Sequence, residues 1–280
     1  MAIPYLNGYL IKPATINALG EVIFTDGTNA ITPNQQQCEA YGYTYNEATG
    51  TCNAFRFSTN LGKSLNTENN NIKGGSNIVE TGTNNTCIMG ENNVVKGLSR
   101  NNIIIGTSNE IASGVDNANV YGTLAQATAK NSIVLGGNEA ADVLGERQNI
   151  TLMYGVTTTN NSTVDAYLNN TTNSYFVVPD NAVIYFQSET LAVRIGGDGS
   201  GSVGDFKSWV ERGVVKNARG TLSIDRSRTS PADSGTTSGW SPINNVSGTN
   251  FRQTCKGATG MTIEWVSTIR ITQLQTSVEL

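Results

Sequence analysis

The sequence contains no histidine. Ser-His-Asp and Cys-His catalysis and every histidine-based metal site are therefore excluded. Charge is also scarce. Only 14% of the 280 residues are Asp, Glu, Lys or Arg, and the net charge is −4. Proteins that hold nucleic acid gather Lys and Arg against phosphate, so this balance argues against such a partner. No apolar run approaches the roughly 18–20 residues that a bilayer-spanning helix needs, which argues against membrane insertion. The opening Met1-Ala2-Ile3-Pro4-Tyr5 lacks the basic and apolar regions of a signal peptide. Folding in a cytoplasm is the expectation. Aromatic residues make up 7% and hydrophobic residues 38%, thin for one large globular core. Four cysteines, Cys38, Cys52, Cys87 and Cys255, form no CxxC pair, so no zinc site or other cofactor site is expected.

What the chain does have is Asn, Thr, Ser and Gly, and a repeat. Four segments end alike: Thr86-Cys87-Ile88-Met89-Gly90, Asn102-Ile103-Ile104-Ile105-Gly106, Ala118-Asn119-Val120-Tyr121-Gly122 and Ser132-Ile133-Val134-Leu135-Gly136. Their glycines are spaced 16, 16 and 14 residues apart. Weaker copies lie between: Ile78-Val79, Val94-Val95 and Ile111-Ala112. A unit that short cannot bury a core alone and must stack on its neighbours, as solenoid units do. The position two before each glycine is always aliphatic: Ile88, Ile104, Val120 and Val134. Neighbouring strand residues point to opposite faces, yet both faces of Ile103-Ile104-Ile105 are apolar. One face fills the interior of a narrow roll. The other needs a cover, and partner chains closing a three-fold assembly are expected to supply it. Which face is which stays open at this level. Asn85, Asn102, Asn119 and Asn131 near the strand starts suit tight corners and stacked amide ladders.

The remaining chain divides by pattern. Residues 1–60 form an N-terminal region. In it, Cys38–Tyr45 and Cys52 read as a hairpin around 46–50, with Cys38 and Cys52 placed to face each other. A cytoplasmic origin favours thiols and later exposure outside the cell permits a disulfide. Residues 61–155 form the roll, and 156–174 a Thr/Asn-rich linker. Residues 175–280 read as short strands parted by turn signals, the spacing of an antiparallel β-sandwich. Ser227–Asn250 reads as a long surface loop carrying Trp240. The fold class is therefore all-β: an N-terminal β-rich docking region, a short trimeric parallel β-roll, and a C-terminal β-sandwich.

Two stretches carry a resemblance. The Asn-x-Ile-x-x-Gly rungs resemble the β-rolls of trimeric adhesin heads. Gly204-Asp205-Phe206-Lys207-Ser208-Trp209-Val210-Glu211-Arg212-Gly213 and the terminal Trp265-Val266-Ser267-Thr268-Ile269-Arg270-Ile271-Thr272 resemble the terminal β-domain of phage fibre proteins. The resemblance implies a homotrimeric fibre of a phage head or tail, made in the bacterial cytoplasm and carried on the virion. Its N-terminal region would dock on capsid or tail proteins, and its C-terminal domain would contact a host-surface glycan or protein. A tailspike-type glycan depolymerase and a cellular trimeric adhesin are the alternatives. No catalytic, cofactor or metal residues are expected, and the chain reads as a non-enzyme. Trp240 is the candidate surface contact, while Trp209 and Trp265 read as core. Asp198 and Asp205 flank a glycine-rich turn without the pattern of a calcium loop.

Overall fold

The structure is a computed structural model, and it describes residues 11–17, 19–54, 70–137, 143–169 and 171–280. Two compact units divide at Gly62 and Lys63. The boundary expected at 60/61 lies outside the described residues.

The first unit is small. Strands β1 (Lys12–Ile16), β2 (Val22–Thr25) and β3 (Ala30–Ile31) form an antiparallel sheet. Helix α1 (Gln35–Ala40) follows, started by a capping box in which Asn34 and Gln37 satisfy each other's backbone donors. Strands β4 (Thr44–Asn46) and β5 (Thr51–Asn53) make a hairpin. Residues 38–40 are thus helical and not the alternating strand the sequence suggested, because the capping box nucleates a turn there. Val22, Phe24, Cys38 and Cys52 are its fully buried apolar residues, and Cys38 and Cys52 are joined by a disulfide.

The second unit opens with the solenoid. Long rungs β6 (Asn71–Lys73), β8 (Cys87–Glu91), β10 (Ile103–Thr107), β12 (Asn119–Thr123) and β14 (Ser132–Gly136) stack in parallel. They alternate in the chain with short rungs β7 (Ile78–Val79), β9 (Val94–Val95), β11 (Glu110–Ile111) and β13 (Gln126–Ala127), which form a second parallel sheet. Ile88, Ile104, Val120 and Val134 fill the interior from one side and Val79, Val95, Ile111 and Ala127 from the other, all nearly inaccessible. Full burial of one such side chain is worth about 1.5–3 kcal/mol.

Three features set the rung spacing. A buried ladder of Asn77, Asn93 and Asn109 runs up one corner; each upper side-chain amide donates to the carbonyl oxygen of the asparagine below at 3.0 Å. Asn85, Asn101 and Asn117 form a second, exposed ladder in the left-handed region, where asparagine is tolerated. Asn102 and Asn119 are not part of it: Asn102 is buried and ties Val115 to Ala118. The third is the glycine column. At Gly106 a Cβ would lie 1.9 Å from the carbonyl oxygen of Gly122 in the next rung, so no side chain fits there.

After β14 the sheet continues in antiparallel form. Strands β15 (Arg147–Thr158), β16 (Thr163–Leu168), β17 (Phe176–Val177), β18 (Ala182–Gly196), β19 (Phe206–Ala218), β20 (Thr221–Ser234), β21 (Ser241–Ser247), β22 (Asn250–Lys256) and β23 (Thr262–Gln275) complete the chain. One fourteen-stranded sheet runs β20-β19-β18-β23-β15-β14-β12-β10-β8-β6, with β16, β17, β21 and β22 joined off this path. Phe186 and Phe251 meet at 4.9 Å between the two groups of strands. The expected linker at 156–174 holds the end of β15 and all of β16, and Ser227–Asn250 holds the end of β20 and all of β21 and no long loop. The antiparallel strands continue the solenoid sheet, since β15 pairs directly with solenoid strand β14.

Candidate functional site

The outward face of the long sheet is the surface on which the chain's unused chemistry collects. In the solenoid, each rung that buries Ile104 must turn its neighbours outward. Ile103 and Ile105 are 37% and 42% exposed, and Ile133 and Leu135 are 51% and 53% exposed. Cross-strand register aligns Met89, Ile105, Tyr121 and Leu135 in one row. Cys87, Ile103, Asn119 and Ile133 form the next. From β8 to β14 these two rows carry no charge; Lys73 and Glu91 stand at their margins. Ile88, Ile104, Val120 and Val134 are thereby assigned to the interior, which settles which face of the rung is which.

Both rows continue into the antiparallel half and change character. The first continues as Asn149, Thr272, Tyr185 and Val214, the second as Thr151, Arg270, Gln187 and Arg212. Further along the same strands lies a groove of about 640 Å3, lined by Thr157, Tyr167, Asn169, Leu191, Glu264 and Val266 among others. A smaller hollow of about 360 Å3, lined by Glu189, Trp209 and Pro231, adjoins it through Leu191 and Val266.

Tyr167 is held in place from behind. Its ring packs on that of Tyr175 at 5.5 Å. The Tyr175 hydroxyl donates to Asp165 at 3.0 Å, and the Arg252 guanidinium pairs with Asp165 and lies 4.8 Å over the Tyr175 ring. Burial, with the hydrogen bond to Asp165, pushes the Tyr175 hydroxyl up to about 12. It therefore stays a proton donor to Asp165 throughout the physiological range. Within the groove Glu264 is the carboxylate, and Glu189 is the nearest acidic group in the adjoining hollow. Glu264 pairs with Val193, four residues from Glu189 along β18, so their Cα atoms stand about 13 Å apart along the strand. Paired glycosidase carboxyls lie roughly 5–9.5 Å apart, and Glu189 leans away from Glu264 to accept from Gln187, so these two do not form such a pair within one chain.

Trp240, expected on an exposed loop, is buried at 4% exposure and packs 6.2 Å from Trp265. The Ser/Gly/Pro context around it belongs to a tight turn that folds the indole back into the core. Trp209 and Trp265 stack at 5.5 Å in that core. Asp205 ties a turn: it accepts the Ser202 and Thr236 amides, which hold its carboxyl below the usual range. The adjoining glycine-rich loop is pinned by buried Arg194, which donates to the carbonyls of Gly196, Gly197, Gly199 and Ser200. Among the described residues no group of three or more acidic or thiol side chains is placed to hold a metal. No helix among them is long and apolar enough to cross a membrane. Tyr167 and Glu264 were not singled out in the sequence. The one available signal was that Tyr167 is the sole aromatic residue between 156 and 174.

No protein-family model matches the chain, and no curated protein matches it. Among solved structures it is similar to phage tailspike proteins. The tailspike of Acinetobacter baumannii phage AM24 aligns at 8% identity and a TM-score of 0.26, over 75% of this chain and 49% of the tailspike. Tailspike gp49 of Acinetobacter baumannii bacteriophage Fri1, described as a capsular polysaccharide depolymerase, aligns at 9% identity and 0.25, over 73% and 48%. The tailspike of Acinetobacter phage vB_ApiP_P1 aligns at 9% and 0.20, over 75% and 54%. The chain spans about half the length of these tailspikes. Likenesses of this size carry no assignment of fold or mechanism. They do correct one expectation: with a described depolymerase among the neighbours, the reading of this chain as a non-enzyme does not stand.

Proposed function

We propose that the chain is a component of a phage fibre or tailspike that assembles as a homotrimer and touches host-surface glycan. The observation that carries this reading is the outward face of the rungs. The solenoid interior is already filled by Ile88, Ile104, Val120 and Val134, so the exposed Met89, Ile103, Ile105, Ile133 and Leu135 are surplus to the fold of one chain. An uncharged apolar surface with a regular rung spacing meets a second copy of itself without leaving a charge buried. Closed three-fold assembly gives every copy the same cover. The first unit, compact and separately cored, suits docking on other virion proteins. The groove suits sugar: Tyr167 offers a ring face, and Thr157, Asn169 and Glu264 offer hydrogen bonds around an apolar floor.

Sedimentation of the purified chain tests the assembly: three times 29.7 kDa is expected, and a mass near one chain sinks it. Attachment to host cells, lost in Tyr167→Ala, tests the groove.

A depolymerase is the second reading, favoured by Glu264 standing in the groove beside Tyr167. Since Glu264 and Glu189 are too far apart within one chain, it requires a second acidic group from a neighbouring copy. Release of short sugars from capsular polysaccharide by the wild type but not by Glu264→Gln is the outcome expected of it.

A further inference from the structure

Arg270 on β23, Gln187 on β18 and Arg212 on β19 are consecutive partners across the sheet. All three point away from the core; the arginines are exposed and the glutamine half-exposed. The two guanidinium-bearing residues stand two strands apart, roughly 10 Å at the usual strand spacing. Other arginines of this half are spoken for: Arg194 by loop carbonyls, Arg226 by Glu211 and Arg252 by Asp165. Among the described residues, Arg212 and Arg270 have no hydrogen-bond or carboxylate partner.

Their surroundings are those of a binding surface. In the adjoining row Tyr185 is 45% exposed, with Thr272 beside it, and Lys216 stands one row further on. Among the described residues, no acidic group nearby is ion-paired with either arginine. Glu189 accepts instead from the Gln187 amide at 3.0 Å, which leaves the Gln187 carbonyl oxygen free as an acceptor. Asp225 faces Val214 across the sheet. The chain's net charge of −4 gives it no general attraction for polyanions, so any such affinity must be local.

We propose that Arg270, Gln187 and Arg212 form a subsite for carboxylate-bearing sugar units of an acidic glycan. The guanidinium fork matches a carboxylate in a two-bond geometry that an ammonium cannot copy. The Gln187 oxygen accepts from a sugar hydroxyl between the two forks, and the Tyr185 ring supplies a flat apolar face. The subsite rests on the reading of this chain as a glycan-contacting protein and specifies the charge of the glycan.

Calorimetry with two soluble probes tests it: polygalacturonate, a uronate polymer, and dextran, a neutral glucan. The wild type binds polygalacturonate more tightly than dextran. Arg212→Gln and Arg270→Gln each weaken polygalacturonate binding about tenfold, and the double variant more. Arg→Lys at either site recovers only part of the loss, and Lys256→Gln on the other layer changes nothing. Because neither arginine has a partner in the fold, the double variant should melt with the wild type. The subsite is overturned if the double variant binds polygalacturonate like the wild type, or if the wild type binds dextran equally well or neither probe. Host-cell attachment separates the two ideas. Attachment that survives the double arginine variant but not Tyr167→Ala leaves the glycan reading standing without the subsite. A wild type that binds neither probe nor cells removes both.

Discussion

The solenoid half and the antiparallel half of the second unit share one sheet but hold it together differently. In the solenoid the interior is narrow and aliphatic, with a polar ladder of Asn77, Asn93 and Asn109 at its corner. In the antiparallel half it is wide and aromatic, with Trp209 and Trp240 packed on Trp265 and Phe186 packed on Phe251. The outward faces differ in charge. The solenoid presents Ile103, Ile105, Ile133 and Leu135 with no charge among them, while the antiparallel half mixes exposed Met153, Tyr185, Leu191, Val214, Val266 and Leu274 with Arg212, Gln187 and Arg270. A two-sheet interior one side chain deep leaves little room for rings, so the surplus apolar residues of the rungs turn outward. A deeper interior absorbs the aromatics, and charged groups enter the outward face there among apolar ones. In the proposed assembly, the uncharged rung face is the one that a second copy covers without burying a charge.

The largest test of that contrast is Ile104→Asp beside Ile105→Asp. Ile104 is inaccessible and Ile105 is 42% exposed. An unpaired carboxylate in the solenoid interior costs several kcal/mol, so Ile104→Asp should abolish the cooperative fold of the second unit by circular dichroism. Ile105→Asp should keep the spectrum and sediment as a single chain. A normal trimer from Ile105→Asp would show that the solenoid's outward face needs no cover.

Next in size is Trp240→Ala. Truncating a buried indole leaves a cavity and costs about 3–5 kcal/mol. Urea unfolding should show that loss. A change within experimental error would return Trp240 to the surface and weaken the picture of an aromatic interior.

The solenoid counterpart is Asn93→Ala. Its side chain donates to Asn77 and Gly106 and accepts from the Asn109 backbone and amide. Removing it leaves buried groups on both neighbouring rungs unpaired, each costing about 1–3 kcal/mol. The loss should exceed that from Asn101→Ala on the exposed ladder, measured by the same unfolding curves. Equal losses would mean that burial does not distinguish the two ladders.

The solenoid was legible in the sequence because its rungs repeat in register, with glycines where the next rung's carbonyl leaves no room for a Cβ. Its faces were not, because Ile103, Ile104 and Ile105 are chemically alike and only the curl of the chain decides which one turns inward. The antiparallel half was harder. Its strands are long, but buried Ser188, Thr190, Glu211, Asn217 and Gln253 interrupt the apolar alternation, so they read as short pieces. Glu211, for instance, is satisfied inside by Arg226 and by the backbone and side-chain amides of Asn244, partners many residues away that no local pattern reveals. Strand β20 lies at the sheet's edge and is exposed along most of its length, which gives it the composition of a loop. The groove was invisible for a related reason. Tyr167 and Glu264 are nearly a hundred residues apart and meet only because β15 pairs with both β16 and β23.

The smallest predicted effect concerns the support behind the groove. Tyr175 is held neutral by burial and by its bond to Asp165, with its folded value raised from 10.0 to about 12. A raised folded value means that its contribution is fully present below pH 10 and is lost as pH rises toward 12. Tyr175→Phe removes both the hydrogen bond and the titration. At pH 8 it should cost about 1 kcal/mol, the worth of one hydrogen bond. As pH rises from 10 to 12 the wild type should lose that advantage and the two urea midpoints should converge. Other alkaline titrations, including that of buried Tyr154, whose hydroxyl is also raised, act on both proteins alike and cancel in the comparison. Midpoints that stay parallel across this range would mean that Tyr175 titrates as it does in the unfolded chain. Tyr167 would then rest on a looser support than its packing against Tyr175 indicates.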